Sequence, residues 1–303
     1  MNRRLFRGSG TALATPMRAG AIDFEAFERL IDRQLAGSAD ALVVCGTTGE
    51  PAALSAEERE WVIECALRRV GGRIPVIVGV GSNDTRTAIA LAKQAQSAGA
   101  DALLAVTPYY NKTTQAGLEA HFTALADATA LPLILYNVPS RTGLNLLPET
   151  AARLARHPNV CGVKEASGSI AQAAALARLC GDELAIYSGN DDMTLPILAL
   201  GGQGVISVAA NVCPGRVAAL CQRFFAGDVA GARAIQLQLL PLIEALFIEV
   251  NPIPVKAALA MLGLCGEETR LPLVPASPET RKKLRDALAE LEEGGGGGEG
   301  VTR

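Results

Sequence analysis

The stretch PVIVGVGSNDTRTAIALAKQAQSAGADALLAV (residues 75–106) contains one complete strand–helix–strand unit. Its two ends, PVIVGV and DALLAV, are continuously apolar, as is typical of parallel strands that are covered on both faces. Between them, alanine and leucine recur at helical spacing from Ala88 to Ala95, and the pattern stops before Gly99. The stretch therefore predicts two parallel strands joined by an amphipathic helix.

The same pattern recurs on both sides of this unit. The further apolar runs are TALATP from residue 11, ALVVC from 41, LPLILY from 131, VCGVK from 160, LAIYSG from 184 and GVISV from 204. Eight such strands, each followed by a helix, form either a closed (β/α)8 barrel or an open doubly wound sheet. A dinucleotide-binding open sheet would carry G-x-G-x-x-G after its first strand, where this chain has ATPM (residues 14–17). We therefore predict an α/β fold, a (β/α)8 TIM barrel with a C-terminal helical extension.

The chain beyond the eighth run contains helical patterns only. They cover residues 214–225, 229–247, 252–262 and 278–291. We expect a barrel over residues 1–213, a C-terminal helical region over 214–291, and a disordered tail over 292–303, where five glycines stand in a row.

Composition and charge exclude several classes of protein. With 49% apolar and 19% charged residues the chain can bury a core, and its net charge of −3 offers no field to attract nucleic acid. The uncharged run over residues 193–215 is long enough to cross a bilayer. Glycines and prolines interrupt it, so we assign it to the interior of the barrel. We predict neither a nucleic-acid partner nor a membrane.

The arrangement of the cysteines and the lack of certain motifs argue against disulfides, metal sites and nucleotide sites. The seven cysteines are scattered without a C-x-x-C pair, and the first residues lack the apolar stretch of a signal peptide. We therefore expect free thiols and a cytoplasmic location. The sequence contains no HExxH motif, no Walker motif and no cluster of histidine with aspartate. We expect neither a metal nor a cofactor.

In a barrel of this type the active site lies at the carboxyl ends of the strands. The candidates at those ends are Thr47, Thr48, Tyr110, Tyr136, Lys164, Gly189 and Ile206. Arg141 follows the fifth strand in a proline turn, and its guanidinium fork suits a carboxylate. We expect these residues to converge at one mouth.

Lys164 directly follows an apolar strand, and this position indicates covalent chemistry. An ordinary lysine is only about one part in a thousand neutral at pH 7.4. Poor solvation at the barrel mouth would increase the neutral fraction, which can attack a carbonyl group. The alternative is a strand-end lysine that extends into solvent.

An imine-forming lysine also needs a group that moves protons. The two histidines, His121 and His157, fall in predicted helices or at a helix end, so Tyr110 and Tyr136 are the better candidates. A chain of tyrosine and threonine hydroxyls could relay the proton. The alternatives are tyrosines that only pack at the rim, a surface-loop arginine at position 141, and threonines that only start the next helix.

Five motifs make the chain resemble a known family. They are GTTGE (46–50), VTPYYNKTTQ (106–115), YNVPSRTG (136–143), GVKEASG (162–168) and NPIPVK (251–256). With them the chain resembles the 4-hydroxy-tetrahydrodipicolinate (dihydrodipicolinate) synthases, which belong to the pyruvate-dependent class I aldolases. The resemblance implies condensation of pyruvate with L-aspartate 4-semialdehyde in diaminopimelate and lysine biosynthesis. The alternative is a sister aldolase or lyase that acts on a keto-sugar acid or on 4-hydroxy-2-oxoglutarate.

The resemblance also implies roles for the catalytic candidates. Lys164 would form the Schiff base with pyruvate, and Tyr136 would relay protons together with Thr47 and Tyr110. Tyr110 would reach into the site of a neighbouring subunit. This arrangement implies a dimer, usually doubled to a homotetramer.

For substrate binding, the resemblance implies that Thr48 and Ile206 hold pyruvate and that Gly189 lines the pocket. Arg141 would receive the carboxylate of aspartate semialdehyde. An arginine at this position favours the synthases over the sialic acid lyases of the same superfamily.

One group of residues departs from the pattern of relatives that lysine inhibits. Those relatives carry histidines and a glutamate where this chain has Ala56, Arg59 and Thr87, although Asn83 and Tyr109 match. Because the ammonium group of lysine would lose its anionic partner, we expect weak inhibition by lysine or none.

Overall fold

The computed structural model describes residues 5–293, and within them eight parallel strands close into a barrel. The strands in chain order are β1 (Gly8–Ala12), the short hairpin pair β2 (Met17–Arg18) and β3 (Ala21–Ile22), β4 (Ala41–Val44), β5 (Val76–Gly79), β6 (Ala102–Val106), β7 (Leu133–Asn137), β8 (Val160–Glu165), β9 (Ala185–Ser188) and β10 (Gly204–Ser207). Strand β1 pairs with both β4 and β10, which closes the cylinder.

Helices alternate with the barrel strands and continue beyond them. They are α1 (Phe24–Ala36), α2 (Ala56–Val70), α3 (Thr85–Ala98), α4 (Gln115–Asp127), α5 (Pro139–Thr142), α6 (Pro148–Leu154), α7 (Ile170–Cys180), α8 (Thr194–Ala199), α9 (Pro214–Phe225), α10 (Val229–Leu246), α11 (Ile253–Met261) and α12 (Pro278–Glu293). The fold is therefore a TIM barrel with additional C-terminal helices, as the sequence predicts.

Local sequence signals set the ends of α2. The Ser55 hydroxyl accepts the backbone N–H of Glu58 at 3.2 Å, and the Glu58 carboxylate accepts the backbone N–H of Ser55 at 2.9 Å. This reciprocal capping box satisfies two amides that have no partner inside the helix. At the other end Gly71 takes a left-handed φ of 58°, which residues with a side chain rarely adopt. The helix therefore begins and ends where these residues stand.

The amino end of the barrel is filled by side chains. Phe6 stacks on Tyr187 with ring centroids 4.3 Å apart, and the Tyr187 hydroxyl donates to the Phe6 carbonyl oxygen at 2.8 Å. Gly10 leaves room for this ring, because a Cβ there would lie 2.8 Å from Cζ of Phe6. Tyr136 and Ile206 belong to the same inner apolar cluster.

The C-terminal helices pack on the barrel and on one another. Helix α9 contacts β1, α10 packs between α9 and α12, and α11 contacts α12. Over residues 5–293, α10 is the helix that is long and apolar enough to cross a membrane by length and composition. It contains Pro241 and buries one face against these neighbours, as core helices do.

Several boundaries differ from the expectations. Strand β1 begins at Gly8 rather than Thr11, because the backbone of its glycine-containing start pairs with β10. The hairpin of β2 and β3 was not predicted. The expected tail begins too early, since residues 292 and 293 continue α12, and 294–303 lie outside the described residues. The seven cysteines form no disulfide within residues 5–293. Residues 193–215 form α8, β10 and the start of α9, as expected.

Candidate active site

A cavity of about 230 Å³ opens at the carboxyl ends of the barrel strands. Its lining consists of Thr47, Thr48, Tyr136, Val138, Ser140, Arg141, Lys164, Ala166, Ser167, Gly168, Gly189, Asn190, Val208, Phe247 and Asn251. Six of the eight predicted site residues are among them; Tyr110 and Ile206 are not. Strand ends supply most of this lining, and Phe247 and Asn251 come from the C-terminal region.

Lys164 lies inside this cavity rather than in solvent. The residue is only 5% exposed, and its Nζ lies 4.4 Å from the centroid of the Tyr136 ring. The two residues are direct partners in the register of β7 and β8, so the sheet itself brings the amine and the phenol ring together. A lysine that extends into solvent is therefore the wrong alternative.

A network of buried and half-buried polar side chains lies next to this pair. The Glu165 carboxylate accepts hydrogen bonds from the side-chain amides of Asn137 and Gln172, both at 3.1 Å, and from the backbone N–H of Ser167 at 2.7 Å. The amide of Asn145 donates to Gln172 at 2.8 Å and accepts from Asn137 at 2.9 Å. Each of these side-chain amides thus has a partner, which makes the network rigid.

The network acts on the strand segment that carries the reactive groups. Asn137 and Glu165 directly follow Tyr136 and Lys164 and are themselves register partners. Because consecutive side chains of a strand point to opposite faces, the network lies on the outer face when the amine and the phenol are on the inner face. It fixes the ends of β7 and β8 relative to each other.

Gly189 allows β9 to approach the reactive lysine closely. A Cβ at Gly189 would lie 2.6 Å from Cβ of Ala166 and 3.1 Å from Cγ of Lys164. Its backbone N–H donates to the Glu165 carbonyl oxygen at 2.7 Å. A side chain at this position would therefore push the lysine chain out of place.

Asp191 is a buried carboxylate beneath the cavity wall. It accepts the backbone N–H groups of Val208 and Ala209 at 3.0 and 3.1 Å and a hydrogen bond from the Ser207 hydroxyl. Burial raises the pKa of Asp191, while these hydrogen bonds and the charge of Lys164 act in the opposite direction. Asp191 ties the loop after β9 to the end of β10.

The GTTGE motif forms a short 3-10 turn at the mouth, over Thr47–Gly49. Thr48 is 1% exposed, and its hydroxyl accepts a hydrogen bond from the side-chain amide of Asn251 at 3.0 Å. The amide oxygen of Asn251 is buried and has no hydrogen-bond partner within residues 5–293. Since Asn251 lines the cavity, this oxygen is available to a bound molecule.

Arg141 lines the outer part of the cavity on the short helix α5. Pro139 starts this helix, and Gly143 ends it with a left-handed φ of 68°. The guanidinium is exposed and makes no ion pair within the described part of the chain. It remains available to a carboxylate that enters the mouth.

Two predicted site residues lie elsewhere. Tyr110 is 89% exposed, with a φ of 68°, and does not line the cavity of its own chain. Ile206 is fully buried in the inner cluster that also holds Tyr136, below the cavity lining. His121 lies in α4 and His157 follows α6, and neither lines the cavity.

The C-terminal lining was missed by reasoning on strand ends. Phe247 follows α10, and Asn251 precedes α11, forty or more residues after β10 at Gly204–Ser207. The one signal for this contribution was the NPIPVK motif, which begins at Asn251. Among residues 5–293, no cluster of histidine, cysteine or acidic side chains has a composition suited to a metal ion.

A closed (β/α)8 barrel with a buried amine beside a phenol ring at its carboxyl end has the arrangement of a TIM-barrel enzyme whose lysine can react with a carbonyl group. The sequence profile of the dihydrodipicolinate synthetase family matches residues 5–291. This chain therefore belongs to that family, as its motifs indicated.

Individual relatives agree with this assignment. A 4-hydroxy-tetrahydrodipicolinate synthase of Alkaliphilus oremlandii is 54% identical over 284 residues, which is 94% of this chain and 98% of the relative. The crystal structure of dihydrodipicolinate synthase from Thermotoga maritima superposes with a TM-score of 0.94 at 47% identity, covering 95% of this chain and 99% of that one. A solved monomeric dihydrodipicolinate synthase variant has the same TM-score and identity and covers 95% and 97% of the two chains.

Proposed function

We propose that this enzyme condenses pyruvate with L-aspartate 4-semialdehyde to form 4-hydroxy-tetrahydrodipicolinate. The observation that carries the proposal is the position of Lys164, a buried amine 4.4 Å from the ring of Tyr136 in a cavity that Arg141 also lines. The synthases named above, which share about half of its residues, supply the identity of the reaction.

The first step joins Lys164 to pyruvate. The neutral amine attacks the C2 carbonyl carbon, and the carbinolamine loses water to give a Schiff base. Loss of a proton from C3 then yields an enamine. The Tyr136 hydroxyl, with Thr47, would carry these protons, and Thr48 would hold the pyruvate carboxylate.

The second step uses the aldehyde. The enamine carbon attacks the aldehyde carbon of aspartate semialdehyde, and the new oxyanion takes up a proton. The substrate's own amine then displaces Lys164 from C2 and closes the ring, which regenerates the free lysine. One water leaves overall and no electrons are transferred, so the reaction needs no redox cofactor. Arg141 would bind the semialdehyde carboxylate at the mouth.

Reduction in the presence of pyruvate tests the mechanism. Borohydride added to the enzyme with pyruvate should fix one adduct on Lys164, found by peptide mass mapping, and no adduct without pyruvate. A coupled reductase assay with aspartate semialdehyde then identifies the acceptor. An unlabelled Lys164 would refute the mechanism, and turnover with a keto-sugar acid but not with the semialdehyde would favour the sister aldolase.

A neighbouring subunit would complete the site. Tyr110 is exposed on its own chain, and its hydroxyl would enter the partner's relay across a dimer interface in a homotetramer. Sedimentation should show dimers or tetramers. The variant Tyr110→Phe should lose activity by about 10- to 100-fold without dissociating. A fully active monomer would contradict this arrangement.

Regulation by lysine is expected to be weak. The Arg59 guanidinium donates to the Gly79 carbonyl oxygen at 2.8 Å, and the Thr87 hydroxyl donates to Asp84 at 2.8 Å. Ala56, Arg59 and Thr87 carry no negative charge that could pair with the ammonium group of lysine, and the Asp84 carboxylate already accepts the hydroxyl and the backbone N–H of Thr87. Strong inhibition by sub-millimolar lysine would disprove the expectation.

The cysteine thiols agree with action in the cytoplasm, where cysteines stay reduced.

A further inference from the structure

Glu50 and Lys256 form an ion pair that solvent does not reach. Their side chains are 2% and 0% exposed, and Nζ of Lys256 lies 2.5 Å from Oε1 of Glu50. The second carboxylate oxygen accepts the backbone N–H of Arg270 at 3.2 Å. Removing two charges from water carries a large desolvation penalty, which offsets most of their mutual attraction. Such a pair therefore adds little net stability compared with apolar side chains. Its position therefore calls for another explanation.

The pair holds the turn that carries the two site threonines. Glu50 ends this turn in a left-handed conformation with φ 52°, and its backbone N–H donates to the Thr47 carbonyl oxygen at 3.2 Å. Lys256 lies in α11, which begins directly after Asn251–Pro252. The C-terminal region thus contacts the turn at two points. Asn251 donates to the Thr48 hydroxyl, and Lys256 donates to the Glu50 carboxylate.

We propose that Glu50 and Lys256 are positioning residues that hold the Thr47–Thr48 turn in the geometry needed to capture pyruvate. The inference rests on the proposed function, because it assigns the two threonines to pyruvate and to the proton relay. Neither charged group lines the cavity, so the pair acts through the backbone of the turn. A buried charge pair is well suited to this task, because only one arrangement satisfies it and a displaced turn would leave both charges unpaired.

The double variant E50Q/K256M tests the proposal. Glutamine and methionine keep nearly the same length and remove both charges together, so no unpaired charge stays buried. We expect a folded enzyme that melts near the wild-type temperature, with a higher KM for pyruvate and slower formation of the borohydride-trapped adduct. As a result of both changes, kcat/KM should fall about 10- to 100-fold, as expected for a small displacement of binding groups.

The matched control neutralises another ion pair of the C-terminal region. Arg281 and Glu267 are 31% and 33% exposed and lie outside the cavity. The variant E267Q/R281M should keep wild-type kinetics. Rates are expressed per active site, counted from the adduct at saturating pyruvate, so that a loss of folded protein is not mistaken for a kinetic effect.

The possible results distinguish the positioning role of Glu50 and Lys256 from the proposed function. Wild-type kinetics in the folded double variant would overturn the positioning role, and so would an equal loss in the control. If the double variant does not fold, Glu50→Asp is measured, because it keeps both charges and shortens the link to Lys256 by one methylene group; it should show a smaller loss in the same direction, and unchanged kinetics would overturn the inference. Absence of an adduct in the wild type would instead refute the proposed function.

Discussion

The cavity has two walls that are held in place in different ways. The wall that carries Lys164 and Tyr136 consists of neighbouring strands, fixed by sheet register and by the neutral amides around Glu165. The second wall, the Thr47–Gly49 turn, is fixed by residues about two hundred positions later in the chain. Lys164 and Tyr136 thus lie on directly paired strands, whereas the turn that carries Thr47 and Thr48 depends on contacts with residues distant in the sequence. Changes to the first wall should impair chemistry. Changes to the second wall should chiefly impair pyruvate binding, with an additional effect on the proton relay where Thr47 is displaced.

The largest effect is expected at the nucleophile. Lys164→Met keeps an unbranched chain of similar length and removes the amine, so turnover should fall by about 10,000-fold or more and the borohydride adduct should vanish. Because an apolar chain suits the buried position, the melting temperature should not fall. Residual adduct on another lysine would show that the first wall does not hold the nucleophile.

Removal of the phenol group should have the next largest effect. Tyr136→Phe keeps the ring that packs 4.4 Å from the Lys164 amine and removes only the hydroxyl. Turnover should fall by about 100- to 10,000-fold, as for loss of a general acid–base group, with a much smaller change in KM for pyruvate. Time-resolved assays with borohydride trapping measure the rate of imine formation, and the same assays without trapping measure overall turnover. The comparison separates imine formation from the later proton transfers. A change confined to KM would place this residue with the binding wall instead.

The polar network behind the first wall gives an intermediate prediction. In Glu165→Gln an NH2 group replaces one acceptor oxygen, and at least one N–H donor among Asn137, Gln172 and Ser167 loses its partner. We expect a loss of stability of about 1–3 kcal/mol and a fall in kcat of about 10-fold with little change in KM, measured by denaturant unfolding and steady-state kinetics. If KM rose and kcat stayed constant, the proposed division between the walls would be wrong.

The two walls also differ in how far the sequence predicts them. Strand order, helix ends and the placement of Lys164 at a strand end follow from local patterns, because apolar runs and caps are local properties. The ion pair between Lys256 and Glu50 could not be derived in this way. In the sequence Lys256 has the features of an ordinary helical lysine, and only the fold shows that it is buried. For the same reason strand-end reasoning missed Phe247 and Asn251. The exposed position of Tyr110 agrees with the family resemblance, although one chain does not test the role of this residue.

The smallest effect concerns a support of the second wall. Arg270, whose backbone N–H binds Glu50, also pairs through its guanidinium with Glu58, at 2.6 Å for one of the two contacts. The hydrogen bond from Arg270 lowers the pKa of Glu58 to about 2. A carboxylate with a depressed pKa contributes stability in full above its ordinary value, and that contribution disappears as pH falls towards 2.

Glu58→Gln should therefore destabilise the enzyme by about 1–2 kcal/mol at pH 7, a value reduced by solvent around this partly exposed pair. The difference from wild type in urea midpoint should shrink between about pH 4.5 and pH 2. Glu60→Gln, on an exposed position of the same helix, should leave the midpoint unchanged. A difference that stays constant down to pH 2 would mean that the charge of Glu58 does not matter. The kinetics of Glu58→Gln at pH 7 should stay close to wild type, because Lys256 still holds Glu50 when this outer contact is lost.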